Sequence, residues 1–174
     1  RGRDLPAALV TNRVLLFEPI VLYNPEGELD PAVNAVDITH ARIRRAGRDV
    51  TLVTYGNSLP KCLAAADTLA RKHGIDAEVL DLRVLRPLDF ATIAESVSRT
   101  HRCVVVDEGW RSGSLSAEVA ARLVDEGFFE LDAPVRRVCS REVPVPYAAH
   151  LEEAALPQAQ QVVAEAVALV RGGG

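Results

Sequence analysis

Four short runs of β-branched and aliphatic residues recur between positions 50 and 139, and a helical period separates each from the next. Val50–Tyr55 reads VTLVTY, Ala77–Leu82 reads AEVLDL, Arg102–Val106 reads RCVVV and Pro134–Cys139 reads PVRRVC. Each has the length and residue types of a strand. The third run is almost wholly apolar and has no polar face, which predicts a strand buried on both sides. Strands that alternate with helices at this spacing predict a mostly parallel sheet with helices on both faces.

The intervening periods carry their own punctuation. Leu59, Cys62, Leu63, Ala66, Leu69 and Ala70 recur at helical spacing after Gly56-Asn57-Ser58, which can turn the chain and cap a helix. Pro60 falls in the first turn, where it is tolerated, and Gly74 is placed to stop the helix. Pro87 and Asp89 open a second period bearing Phe90, Ile93, Ala94 and Val97. Ser114 precedes a third with Leu115, Val119, Leu123 and Val124, and Pro157 opens a fourth with Val163, Ala166, Val167 and Val170.

The first 45 residues read differently. Val14–Phe17 (VLLF) has the form of a buried strand, and residues 24–37 are rich in turn-forming residues. Three segments are expected: residues 1–12 as the remnant of an upstream linker or domain, 13–171 as one α/β domain, and 172–174 as a flexible tail. The 174 residues contain no methionine, even at position 1, so the chain is expected to be processed or part of something longer.

Bulk properties exclude some functions. A formal net charge of -4 argues against general nucleic-acid binding, which needs a basic footprint. No apolar run approaches the roughly 18 residues of a membrane span, and no signal-peptide pattern opens the chain. Cys62, Cys103 and Cys139 are odd in number and form no CxxC pair, so neither a disulfide framework nor a zinc site is expected. Small core thiols in a reducing cytoplasm suit them better.

In parallel α/β sheets ligands collect at the carboxyl ends of strands, and three loops are expected there. Gly56, Asn57 and Ser58 precede a helix whose free N–H groups could hold a small anion, although no GxGxxG or GxxxxGK[ST] fingerprint is present. Asp107–Gly113 gathers two carboxylates, Arg111 and the only tryptophan, Trp110. Without a histidine or nucleophile beside them, Glu108, Trp110 and Arg111 suit a protein interface better than catalysis. Val143–Tyr147 is stiffened by alternating prolines. His150, Glu152 and Glu153 follow it without a metal-binding arrangement. No serine or cysteine triad can be assembled, and no catalytic, cofactor or metal residue is assigned.

Several stretches, in order, resemble the beta subunits of pyruvate dehydrogenase and its relatives. They are FEPIVLY from Phe17, DVTLVTYG from Asp49, AEVLDLRVLRPLD from Ala77, VDEGW from Val106, LDAPVRRV from Leu131 and VPVPY from Val143, with Leu151-Glu152 and Leu156-Pro157 beyond. The resemblance implies the carboxy-terminal domain of a thiamine-diphosphate-dependent 2-oxoacid dehydrogenase beta subunit. It implies a transketolase C-terminal-like α/β/α sandwich of three layers with one antiparallel edge strand. The parent enzyme would use thiamine diphosphate and magnesium to decarboxylate a 2-oxoacid and pass the acyl group to a lipoyl group, with neither cofactor expected on this domain alone.

The partners implied are an alpha subunit, a second beta subunit, and the subunit-binding domain of a dihydrolipoyl acyltransferase. The acidic stretch Asp125, Glu126, Glu130 and Asp132 is the expected landing site for that basic domain, with Arg136 and Arg137 opposing it. Pro146-Tyr147-Ala148 and Leu151-Glu152 favour pyruvate over a branched-chain or acetoin substrate. The rival expectations are a stand-alone small-anion-binding module, or the matching domain of transketolase or deoxyxylulose phosphate synthase.

Overall fold

A computed structural model describes residues 39–172. The expected strand at Val14–Phe17, the loop at 24–37, the segment 1–12 and the last two glycines lie outside the described residues. The elements in order are β1 (Arg42–Arg45), β2 (Val50–Thr54), α1 (Ser58–Thr68) with a π-helical turn (Leu69–His73), β3 (Ala77–Asp81), α2 (Phe90–Thr100) and β4 (Cys103–Trp110). They continue with α3 (Leu115–Gly127) and a 3-10 turn (Phe128–Glu130), then β5 (Arg136–Ser140), α4 (Ala149–Ala155) and α5 (Ala159–Val170). One five-stranded sheet has the order β1-β3-β2-β4-β5. All neighbours run parallel except β1, which lies antiparallel to β3 at the edge.

The two faces of the sheet account for the residue pattern. Every residue of β2 and β3, and the first five of β4, is buried. Val50, Leu52, Ala77, Val79, Val104 and Val106 face a layer made by α1 and α5. Val53, Leu80, Cys103 and Val105 face the opposite layer, made by α2 and α3. Successive strand residues thus enter opposite cores, which is why the runs show no polar alternation. Each buried aliphatic side chain contributes about 1.5–3 kcal/mol relative to exposure.

Polar residues inside these strands are paired. The Thr51 hydroxyl lies 2.7 Å from both the Ser96 and Thr100 hydroxyls. Glu78, on the same face of the sheet, accepts from the Ser96 hydroxyl at 2.5 Å and from the Arg99 guanidinium at 2.8 Å. A buried carboxylate left without such partners would cost several kcal/mol, so α2 is pinned to β2 and β3 by charge as well as by Ile93 and Val97.

The helix ends follow the sequence reading at Gly74 and Asp89, and at α1 in the position of the cap but not in a side-chain bond. Gly74 takes the left-handed conformation at φ +68 and closes the π-helical turn. Asp89 caps α2 by accepting the Thr92 N–H at 3.2 Å. At α1, however, the cap position falls on Asn57, Ser58 is already helical, and no side chain caps the end.

Two elements carry little sequence signal. β1 reads Arg42-Ile43-Arg44-Arg45, mostly exposed, and an edge strand of this kind needs charge rather than a hydrophobic period. α4 is a seven-residue helix whose one buried residue is Ala155.

Gly47 joins β1 to β2 and runs against the start of β3. A Cβ there would lie 2.2 Å from the backbone of Ala77 and Glu78. Gly47→Ala is therefore expected to destabilise the fold by about 1–3 kcal/mol, the usual cost of overpacking a rigid neighbour. Urea unfolding would show a lowered midpoint at unchanged slope, and an unchanged midpoint would show that the β1–β3 edge gives way freely.

Candidate functional site

The sheet order reverses between β2 and β4. From β2 the chain crosses to β3 on one side and later returns to β4 on the other. The carboxyl ends of β2 and β4 therefore face each other across a switch point, where open α/β sheets place their ligands. The structure brings together here two of the loops singled out from sequence, Gly56–Ser58 and Asp107–Arg111.

Their contacts are structural in character. β4 runs further than expected, to Trp110, with a bulge between Asp107 and Trp110 that restores pairing with Ser140. Asp107 is buried and accepts three hydrogen bonds: from the Tyr55 hydroxyl at 2.6 Å, the Gly109 N–H at 2.7 Å and the Ser116 N–H at 2.9 Å. Ser116 lies in the first turn of α3, and Ser114 supplies no side-chain cap. A carboxylate from β4 thus caps α3, where an anion favours both the free N–H groups and the helix dipole.

Glu108 braces α1 through side chains and caps no backbone N–H of that helix. It accepts from the Asn57 side-chain amide at 3.3 Å and the Lys61 ammonium at 3.4 Å. The negative charge that the start of α1 attracts is supplied from within the chain. An external anion at Gly56, Asn57 and Ser58 would have to compete with it. Asn57 Oδ1 and Ser58 Oγ are buried without a partner among the described residues.

Beyond the switch point the surface becomes apolar and exposed. Trp110 is 49% exposed, Val145 59% and Tyr147 fully so. Arg111 and Arg137 each donate to the other's backbone carbonyl, at 3.2 and 2.9 Å. Arg137 is therefore held toward the carboxyl end, away from the acidic stretch it was expected to oppose.

That stretch lies at the other end of the sheet. The Asp132 N–H donates to the His101 carbonyl just before β4, and its carboxylate pairs with Arg102 at 3.0 Å. His101 Nδ1 lies 2.9 Å from the Glu130 carbonyl. Beside them Val124, Phe128, Leu131, Ala133, Pro134 and Val135 line a groove of about 470 Å³. Phe128 and Phe129 are 61% and 96% exposed, with their rings packed edge to face. These two were missed in the sequence reading. Their signal is that adjacent aromatics at the end of a helix cannot both reach one core.

His150, Glu152 and Glu153 are exposed on α4, and no group of three His, Cys, Asp or Glu is placed to hold a metal among the described residues. No described helix is long and apolar enough to cross a membrane.

Such a domain is a doubly wound α/β sandwich whose acidic strand-end residues brace its own helices and whose two ends offer surfaces of different character. Residues 39–162 match the model of the family described as Transketolase, C-terminal domain, and the chain belongs to that family. It is 40% identical to a mitochondrial pyruvate dehydrogenase E1 component subunit beta of Dictyostelium discoideum, over 94% of this chain and 47% of that protein. A 3-methyl-2-oxobutanoate dehydrogenase subunit beta of Mycobacterium tuberculosis is 47% identical over 83% of this chain and 41% of its own length. A split gene transketolase solved as an inactive beta4 tetramer superposes with a TM-score of 0.69 at 29% identity, over 82% of this chain and 45% of that one. The chain spans about half the length of the curated relatives it matches.

Burial and then the hydrogen bond to Asp107 push the Tyr55 phenol well above its ordinary range. The folded state thus holds this proton more tightly than the unfolded chain. Its contribution to stability is complete below the unfolded value near ~10 and declines as the pH rises past it. Comparing phenolate absorbance of the folded protein with that of Tyr55→Phe should show one tyrosine titrating late. A difference that titrates at the ordinary value would mean that the Tyr55–Asp107 bond does not form.

Proposed function

We propose that this chain is the carboxy-terminal assembly and docking domain of the beta subunit of a thiamine-diphosphate-dependent 2-oxoacid dehydrogenase. The observation that carries the reading is the groove at the amino end of the sheet. It combines an apolar floor and two exposed phenylalanines with the carboxylates of Asp125, Glu126, Glu130 and Asp132 nearby in sequence. Aromatic anchors with a charged rim are the ordinary make-up of a protein-docking surface. Glu126 and Asp132 already pair with Arg122 and Arg102, and the acidic excess left with Asp125 and Glu130 suits a basic partner. The partner proposed is the subunit-binding domain of a dihydrolipoyl acyltransferase, with Glu130 and Asp132 receiving its basic side chains.

The other end is assigned to assembly. Glu108 fixes the approach of β4 to α1, and Trp110 and Arg111 project beyond it. That face suits the alpha subunit and a second beta subunit. Magnesium and thiamine diphosphate act elsewhere in the parent enzyme in this reading. Both pyruvate and branched-chain enzymes occur among the relatives, and Pro146-Tyr147-Ala148 with Leu151-Glu152 favours pyruvate. Three unpaired cysteines suit a reducing cytoplasm.

Two experiments test this. The chain incubated with pyruvate, thiamine diphosphate and magnesium is expected to release no carbon dioxide, and measurable decarboxylation would overturn the assignment. Calorimetry with the acyltransferase's subunit-binding domain is expected to show a complex that weakens with salt. Glu130→Lys and Phe129→Ala should each weaken it about tenfold, or 1.4 kcal/mol, while leaving the melting temperature unchanged because both side chains are exposed. If neither variant affects the complex, the docking surface lies elsewhere.

A further inference from the structure

Among the described residues β5 is the last strand of the sheet and pairs on one side only, with β4. Along the carboxyl half of its free edge runs a second groove of about 470 Å³, whose charged and amide side chains are Arg111, Arg137, Arg141, Glu142, Gln161 and Glu165. Three guanidiniums thus face two carboxylates. The charges are not equally available. Glu142 is held in place by Ser112, whose N–H and hydroxyl both donate to its Oε1, at 3.0 and 2.7 Å, and its one charge leaves the three guanidiniums in excess even with Glu165 counted. Arg111 and Arg137 are immobilised by their reciprocal bonds to backbone carbonyls, each spending one N–H and keeping the rest. Arg141 has no side-chain partner among the described residues, and its backbone N–H is fixed to the Ala155 carbonyl at 2.9 Å. The Gln161 carbonyl is taken by the Gln158 N–H at 2.9 Å, which leaves its amide NH₂ as a donor.

A concave surface holding several unspent donors and a surplus of positive charge, part of it held in place by backbone bonds, is suited to an acceptor-only group. Guanidinium forks match the oxygen spacing of carboxylate and phosphate. We propose that the β5 groove is an oxyanion-binding site in which Arg137 and Arg141 grip a phosphate or carboxylate group and the Gln161 amide adds a further hydrogen bond. The site is distinct from the start of α1, where Glu108 already supplies the negative charge. Both sources of the group, a free ion or an acidic side chain of another polypeptide, present the same oxygens.

The test is an NMR titration of the arginine side-chain N–H signals with inorganic phosphate, repeated with a glutamate-rich peptide. Saturable shifts at Arg137 and Arg141 with phosphate support a free-ion site. The same shifts with the peptide alone support an acidic side chain as the source. Arg141→Gln removes no bond that holds the fold. It should weaken binding about tenfold, the loss expected for one charge-assisted hydrogen bond, and Arg137→Gln should do likewise. Arg48→Gln, at the opposite end of the sheet, is the control. Absence of shifts with both probes overturns the proposal, as does an equal loss in the control. So does a result in which the arginine variants alter only aggregation, because charged edge residues also serve to block strand pairing.

Discussion

The double burial of β2 and β4 is the constraint on which the rest of the molecule depends. No residue of β2 and none of the first five of β4 reaches solvent, so each face of the sheet must be covered by its own helical layer. The covering falls to α1 with α5 and to α2 with α3, and it sets the side of every crossover between parallel strands. It also leaves no room for an unpaired polar group in the centre. Thr51 and Glu78 are tolerated there only because Ser96, Thr100 and Arg99 reach them from α2.

The same constraint decides what the conspicuous acids of VDEGW do. A strand that ends between two helix starts brings one carboxylate, Asp107, to the free N–H groups of α3 and the other, Glu108, to the Asn57 and Lys61 side chains of α1. Asp107 and Glu108 are drawn into bracing α3 and α1. Groups that resemble an acid–base pair in the sequence are therefore spent on holding the switch point together. Chemistry open to the outside is displaced to the rims: the acidic and aromatic surface at the amino end, and the apolar and arginine-bearing surface at the carboxyl end.

Legibility in the sequence followed burial. Val104–Val106 could be read as a doubly buried strand because three consecutive β-branched residues have no other economical home. β1 could not, because Arg42, Arg44 and Arg45 leave it no hydrophobic period and its place is fixed by pairing with Val79–Asp81. α4 escaped notice for a similar reason: a single buried alanine gives no stripe to detect. The candidate positions at Glu108, Trp110 and Arg111 were visible as an odd cluster of residue types. That Glu108 meets Asn57 and Lys61, some fifty positions earlier, depends on the strand order, which no local pattern encodes. Phe128 and Phe129 lie just past the helical period Leu115, Val119, Leu123 and Val124 and belong to no pattern of their own, so only the structure shows them exposed.

The placement of the two rims bears on how the domain proposed above could serve an assembly. Asp132 precedes β5 and Arg141 follows it, and the five strand residues between rise roughly 17 Å. Partners engaged at the two ends would be separated by about the height of the sheet and would not compete for one surface. They would nevertheless share one rigid strand pair, β4 and β5, because Ser140 donates to the Glu108 carbonyl at 2.7 Å and Arg137 ties back to Arg111. A displacement imposed at the carboxyl end has no soft loop inside the pair to absorb it. The aromatic groove at one end and the arginine-bearing groove at the other are thus held at a separation set by that strand pair.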